Sequence, residues 1–209
     1  MPELFTELYH APCGDLILGG FNGRLCFCDW RGGRLPALAR RLGAAVSAAP
    51  CAVTREAARQ LDEYFAGERT AFTLPLLLEG TAFQKAVWQA LTAIPYGETI
   101  SYGCLARRIG TAKAARAVGA ACGANRLSLF LPCHRVLGQS GTLTGYAGGS
   151  AAKRFLLNWE QTNVCARREQ KPSLLGLCRA AANFRASECN RACSYCRAQP
   201  KMSRKGAFI

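Results

Sequence analysis

Leu131-Pro132-Cys133-His134-Arg135-Val136-Leu137-Gly138 sets a thiol and an imidazole side by side at the end of an apolar run. In that run Leu127, Leu129 and Leu131 alternate with Ser128 and Phe130, which reads as a strand over residues 125–132. An inward thiol at such a place is ordinarily inert, because burial disfavours the thiolate, and an adjacent histidine is one of the few groups that reverses this. Successive side chains on a regular strand point to opposite faces. Cys133 and His134 therefore share one pocket only if the chain turns after Pro132 or a water links them. Either way His134 needs a partner that fixes its tautomer and stabilises the imidazolium. Glu160, following Leu156 and Leu157 at helical spacing, is the candidate.

Working outward, Ile100-Ser101-Tyr102 opens a helix to Arg108, with Gly110 as its C-terminal punctuation. A second helix is expected over about residues 111–122, and the two form a helix-turn-helix pattern. The second is rich in alanine and carries Lys113 and Arg116, so it fits closely against protein or into a nucleic-acid groove. Upstream, Thr81 caps a helix through Phe83, Val87, Trp88 and Leu91. Downstream, residues 138–149 form a glycine-rich loop without a phosphate-loop pattern. Ser150 is then expected to cap a last helix with Phe155, Leu156 and Trp159 on one face and Glu160 near its end.

The amino-terminal part has another character. Residues 3–30 read as strands, and within them the runs 16–20 and 25–30 are joined at Asn22-Gly23, a hairpin signal because both residues tolerate positive φ. A short helix is expected over 35–42, a longer one capped by Thr54 and stopped by Gly67, and a strand over 72–78. The fold class is α+β: a small α/β domain over 1–78, a mainly helical domain over 79–161, and a basic, cysteine-rich tail over 162–209, expected to be disordered.

The 209 residues are half hydrophobic and carry a net charge of +14, which invites a polyanionic partner. The charge is uneven: 17 Lys and Arg face 11 Asp and Glu over 1–160, but 10 face 2 over 161–209. Bulk charge is thus weak support for DNA binding by the folded part. The start of the chain has no basic segment followed by an apolar one, and no run reaches the roughly 20 apolar residues a membrane span needs. A reducing, cytoplasmic setting is expected for the 12 cysteines. Cys13, Cys26, Cys28, Cys51 and Cys104 read as small buried hydrophobes.

The Pro-Cys-His-Arg-Val segment at 132–136 resembles the active-site signature of the O6-alkylguanine-DNA alkyltransferases, and the resemblance runs from near the start to about Glu160. It implies an RNase H-like amino-terminal domain, with Pro12-x-Gly14-x-Leu16 and Trp30 in place. It also implies stoichiometric, irreversible transfer of an alkyl group from O6-alkylguanine, with O4-alkylthymine a second candidate lesion, to Cys133. His134 falls on the base that works through a water, Glu160 on the carboxylate that orients it, and Asn125 on the residue that brackets the turn. Tyr102 falls on the tyrosine that crowds the target phosphate and polarises the purine. Arg116 falls on the arginine that fills the stack after the base has flipped out. Gly145 and Tyr146 match the pocket wall, Val136 and Cys122 further lining, and Arg135 is grouped with the substrate and DNA contacts. Taken singly, Tyr102 reads as a core aromatic, Arg116 as a solvated charge and Asn125 as a turn residue; their joint spacing from Cys133 lifts them. The implied partner is double-stranded DNA, entered from the minor groove by a monomer, with no membrane, metal or cofactor. One departure is Arg126, where a proline or small residue is common; it is expected to alter the turn or add a phosphate contact.

Two other readings stay open on the residues: a lesion-binding helix-turn-helix protein without chemistry, and a Cys-His hydrolase. In the tail, Cys189, Cys193 and Cys196 have the spacing of a radical-SAM cluster motif. Only 13 residues follow Cys196, too few for the barrel of such enzymes, so a disordered basic tail is the expectation, with a remnant or truncated start of another domain and a working metal site as the alternatives.

Overall fold

The computed structural model describes residues 1–30, 34–143 and 145–170. Strands β1 (Glu3–Ala11), β2 (Gly14–Phe21) and β3 (Arg24–Trp30) form an antiparallel meander. The Asn22-Gly23 turn stands as expected, with φ of 49° and 71°, the left-handed pair that matches strand twist. Helix α1 (Arg34–Leu42) leads into β4 (Ala45–Ser47), which pairs parallel to β1 and gives the order β3-β2-β1-β4. Three residues are too few to show an alternation, so β4 left no trace in the sequence pattern.

Helix α2 (Ala52–Phe65) covers one face of the sheet, setting Val53, Ala57, Leu61 and Tyr64 against Leu16, Leu18 and Cys28. On the other face Leu38 of α1 packs with Leu4, Phe21 and Phe27. Thr54 does not cap α2 from outside. The N-cap is Cys51, and Thr54 reaches back from the first turn to accept its backbone N–H at 2.9 Å. Gly67, at φ 77°, terminates the helix.

The free edge of β3 is closed by two inserted segments, and each corrects an expected strand. Residues 72–78 make one parallel bridge, Leu25 to Leu76, because Pro75 has no amide with which to continue a ladder. Residues 125–132 make one bridge, Cys28 to Leu127, and then turn, with Leu131 N–H donating to Leu127 O at 2.8 Å. The alternation misled because core surrounds this turn on every side: Leu127, Ser128, Leu129, Phe130 and Leu131 are all buried. Leu129 sits at φ 69°, a left-handed conformation that costs a side chain about 1 kcal/mol or more. The future site is thus hydrogen-bonded directly to the amino-terminal sheet.

In the second half, α3 (Ala82–Thr92) opens with the expected Thr81 cap, reciprocated by Gln84. Strand β5 (Ile100–Ser101) pairs parallel to β6 (Val136–Leu137). Helices α4 (Tyr102–Arg108) and α5 (Ala115–Gly123) form the helix-turn-helix, with Gly110 at φ 76° between them. Helix α5 starts later than expected, after a turn in which Ala114 N–H donates to Thr111 O at 2.8 Å. Trp88 of α3 fastens it by donating to Ala121 O at 2.9 Å.

Helix α6 (Gly149–Gln170) contains Ser150 in its first turn rather than as its cap, and Glu160 sits at its middle rather than near its end. The tail expected from 162 is therefore helical through 170. Asn163 donates to Tyr96 Oη at 3.3 Å and to Trp159 O at 3.0 Å, and Arg167 donates to Gly67 O, so these turns are packed on the body. Residues 171–209, with the Cys189, Cys193 and Cys196 spacing, lie outside the described residues. No described helix is long and apolar enough to cross a membrane.

Candidate active site

Of the two arrangements open to Cys133 and His134, the chain adopts the turn. Residues Cys133–Arg135 form a single 3-10 turn after Pro132. Asn125, leaving α5, holds both limbs of the loop before it. Its Oδ1 accepts Leu127 N–H at 2.9 Å, and its Nδ2 donates to Leu131 O at 2.9 Å and to the Cys133 sulfur at 3.3 Å. Asn125 and Cys133 are 1% and 6% exposed, so these bonds form away from water, where they are strongest.

His134 and Glu160 are wholly buried, with Nε2 2.8 Å from Oε1. Glu160 also accepts Tyr64 Oη at 2.8 Å, Gly97 N–H at 2.9 Å, and a two-pronged contact from Arg135. Burial alone would raise the Glu160 carboxyl, but His134 and Arg135 outweigh it and hold it at about 2. Burial likewise lowers His134 beneath the usual histidine value, although Glu160 opposes this. At neutral pH the pair is therefore a carboxylate accepting Nε2–H from a neutral imidazole. That leaves Nδ1 as the proton acceptor, and it is buried without a hydrogen-bond partner. The resting sulfur is a thiol: burial raises Cys133, with Asn125 and Lys153 acting the other way.

Lys153 was not anticipated. Its ammonium is buried, donates to Val136 O at 2.7 Å and lies 5.9 Å above the Tyr102 ring. Burial lowers its pKa, while the Cys133 and Cys122 thiols act to raise it. Cys122, on the inner side of α5, is pushed up to about 12 by burial and by Cys133. The overlooked signal is a lysine within the Ala152, Leu156, Leu157 and Glu160 stripe of α6. Tyr64, from the other half of the chain, carried no such signal beyond its place on an apolar helix face.

Tyr102, Arg116 and Gly145 line one cavity of about 460 Å³, together with Ser101, Arg107 and Gln139. The open side of α5 presents Arg116, Ala117 and Ala120, while Val118, Ala121 and Cys122 face inward. Val136 is buried in β6. Tyr146 packs edge-on against His134, centroids 6.3 Å apart, and against Trp30 at 4.9 Å.

Three expectations are corrected. Arg135 is not at a substrate or DNA surface; it is 6% exposed and turns inward to Glu160 and Ile94 O, because an ionised carboxylate in the core needs a cation. Arg126 is half-buried and donates to Glu79 O at 3.0 Å, so it ties the inter-domain connection rather than reaching a phosphate. Of the cysteines expected to be buried, Cys26 and Cys28 are, while Cys13, Cys51 and Cys104 are only partly so; at Cys104 the Ser101 hydroxyl and nearby Arg107, which donates to the sulfur at 2.9 Å, lower the pKa.

These features define a helix-turn-helix protein with a buried nucleophilic cysteine beside an oriented base. Residues 82–162 match the family model for the 6-O-methylguanine DNA methyltransferase DNA-binding domain, and residues 4–78 match that family's ribonuclease-like domain. A methylated-DNA–protein-cysteine methyltransferase of Methanosarcina acetivorans is 42% identical over 158 residues, covering 75% of this chain and 98% of that protein. The constitutive enzyme of Bacillus subtilis is 57% identical over 107 residues, 51% of this chain and 65% of that protein. The crystal structure of Mycobacterium tuberculosis OGT in complex with DNA superposes with a TM-score of 0.67 at 42% identity, covering 76% of this chain and 94% of that one. The chain belongs to the 6-O-methylguanine DNA methyltransferase family.

Proposed function

We propose that this protein repairs DNA by moving the alkyl group of O6-alkylguanine onto Cys133, once per molecule. The observation that carries the reading is the buried Glu160–His134 pair, with the His134 Nδ1 unpartnered and the imidazole in the same 3-10 turn as the cysteine that Asn125 contacts. Relatives named as methylated-DNA–protein-cysteine methyltransferases support the reaction type, and the DNA complex of the M. tuberculosis protein supports the partner.

Each residue has a definite task. The target oxygen lies inside the duplex, so the nucleotide must be turned out, at a cost of a few kcal/mol that is smallest for a damaged, poorly paired base. Arg116 offsets part of that cost by filling the gap. The small side chains of α5 permit close approach through the minor groove. His134 Nδ1 takes the thiol proton through a water, and Glu160 stabilises the imidazolium so formed. The sulfur attacks the alkyl carbon in line. A carbon–sulfur bond forms as the carbon–oxygen bond breaks, and the electron pair departs with guanine. Tyr102, hydrogen-bonded to the purine ring, supplies the proton the leaving base needs. The Asn125–sulfur bond favours the thiolate over the thiol, which lowers the barrier further. Imidazole-assisted hydrolysis does not cleave a thioether, so each molecule reacts once; every residue given a task lies on one chain, which suits action as a monomer. The eight described cysteines are all free, which fits a reducing, cytoplasmic setting.

Incubation with an O6-methylguanine duplex followed by peptide mass spectrometry tests this. One methyl group on Cys133 per molecule is expected, with none on Cys133→Ser. Lesion binding without label would point to a sensor, and product in excess of protein to a hydrolase.

A further inference from the structure

The structure assigns Trp30, at the end of β3 in the amino-terminal domain, as the residue that positions the glycine-rich wall of the active-site pocket and thereby sets which alkyl groups fit. The inference rests on the proposed alkyl transfer and adds a specificity determinant outside the catalytic half.

The Trp30 indole lies close to two glycines from different halves of the chain. The Gly148 backbone lies directly on the ring: a Cβ there would come within 2.4 Å of Cε2 and 2.6 Å of Cδ2. The second is Gly14, at φ 121°, where a Cβ would stand 3.4 Å from the indole nitrogen. Gly14 belongs to the Pro12-x-Gly14-x-Leu16 pattern, to which the transfer chemistry gives no role. The indole also meets the Tyr146 ring edge-on, with centroids 4.9 Å apart at 70°. Its Nε1 is buried without a hydrogen-bond partner, so the ring is kept for its shape rather than for a polar contact.

At its other end the wall meets Tyr102, whose hydroxyl would lie 3.5 Å from a Cβ at Gly145. The segment from 145 to 148 is therefore held by Tyr102 at Gly145, by His134 and Trp30 at Tyr146, and by Trp30 at Gly148. Gly148 has no side chain with which to pack, so the position of that end of the wall follows the indole on which its backbone rests. Thinning that support lets the Gly148 end recede. Bulky groups then gain room, while a methyl group, which reacts only when closely aligned, loses orientation.

The test compares wild type with Trp30→Phe and Trp30→Ala, measuring transfer to Cys133 from O6-methylguanine and O6-benzylguanine in the same duplex and amide exchange at residues 145–149. Trp30→Ala is expected to raise the benzyl-to-methyl rate ratio at least fivefold and to speed exchange at 145–149, with Trp30→Phe intermediate. Trp30→Phe keeps an aromatic ring, so it reports even if the alanine variant does not fold. A ratio within twofold of wild type in the folded variants overturns the assignment, whether or not both rates fall together, since a general packing defect lowers both alike. If wild type transfers neither group, the alkyl-transfer reading fails, and unchanged exchange in the variants would separately reject Trp30 as the support.

Discussion

Tyr64, on a helix of the amino-terminal domain, donates its hydroxyl to Glu160 of the last helix at 2.8 Å. The carboxylate hydrogen-bonded to the His134 imidazole is therefore held from both halves of the chain. Tyr64→Phe removes one donor from an ionised, fully buried acceptor and leaves the ring packing in place. A loss of about 1–3 kcal/mol is expected, read as a lower Tm, with transfer to Cys133 slowed severalfold because the imidazole is less firmly held. Unchanged transfer would show that Arg135 and Gly97 suffice.

Asn125 is 1% exposed and serves three partners at once. Asn125→Ala strands the Leu127 amide and the Leu131 carbonyl inside the core, each costing about 1–3 kcal/mol. It also removes the amide donor to the Cys133 sulfur. Chemical denaturation should show a loss of several kcal/mol, and transfer at 20 °C, where the variant stays folded, should fall at least tenfold. Asn125→Asp tests the sulfur contact separately: it keeps the acceptor for Leu127 but sets a carboxylate against the sulfur, so its transfer rate should fall further than its stability.

The site was legible in the sequence to the extent that its residues lie close together along the chain. Cys133 and His134 are neighbours, and Glu160 lies on the inner stripe of a periodic helix, so a thiol, a base and an orienting carboxylate could be named from spacing and resemblance. What escaped were properties that arise only when distant segments meet. Tyr64 reaches Glu160 across 96 positions. Arg135 was read as a surface cation because nothing local reveals that a carboxylate would be buried beside it. The run from Leu127 to Leu131 was read as a strand because alternation cannot distinguish a sheet from a turn enclosed by core. The 3-10 turn at Cys133 was one of two arrangements that strand geometry left open, and only the fold decides between them.

Lys153 interacts electrostatically with Cys133 and lowers its pKa against the effect of burial. Lys153→Met keeps the length of the side chain and removes the charge. The thiol then becomes harder to ionise, so the transfer rate at neutral pH should fall; Lys153 also helps to hold His134 down, so without it the inflection set by His134 should move to higher pH. Stability should change little or increase, since burying a methionine costs less than burying an ammonium. An unaltered pH profile would confine Lys153 to its contacts with Val136 and Tyr102.

Arg116 is exposed on α5 and borders the cavity shared by Tyr102 and Gly145. Its proposed task is to fill the stack left by the flipped nucleotide, so it matters for duplex substrates and not for a free base. Arg116→Ala should slow transfer from an O6-methylguanine duplex tenfold or more, corresponding to about 1.4 kcal/mol or more in the barrier. Reaction with free O6-benzylguanine should stay within twofold of wild type. Equal losses on both substrates would mean that Arg116 shapes the pocket instead.

The pH dependence follows from two depressed pKa values. His134 must be neutral to take the thiol proton, and burial places its pKa below the usual 6.5. The transfer rate should therefore hold level as pH falls through 6.5 and decline about tenfold per unit only beneath the depressed value. An inflection at or above 6.5 would contradict the assigned base. Stability carries a second signature. Glu160 titrates near 2 in the fold against 4.5 when unconstrained, so its contribution is complete above pH 4.5 and is lost as pH drops from 4.5 towards 2. At about 1.4 kcal/mol per unit this is of order 3 kcal/mol. His134 acts in the same direction at higher pH: the unfolded chain takes up its proton near 6.5 while the fold does not, so stability begins to decline below that point. Glu160→Gln should be less stable at pH 7, since Arg135 is left without its counter-charge, and its stability should fall less steeply than wild type between pH 4.5 and 2. Parallel curves for the two proteins across that range would place the acid-sensitive carboxylate elsewhere.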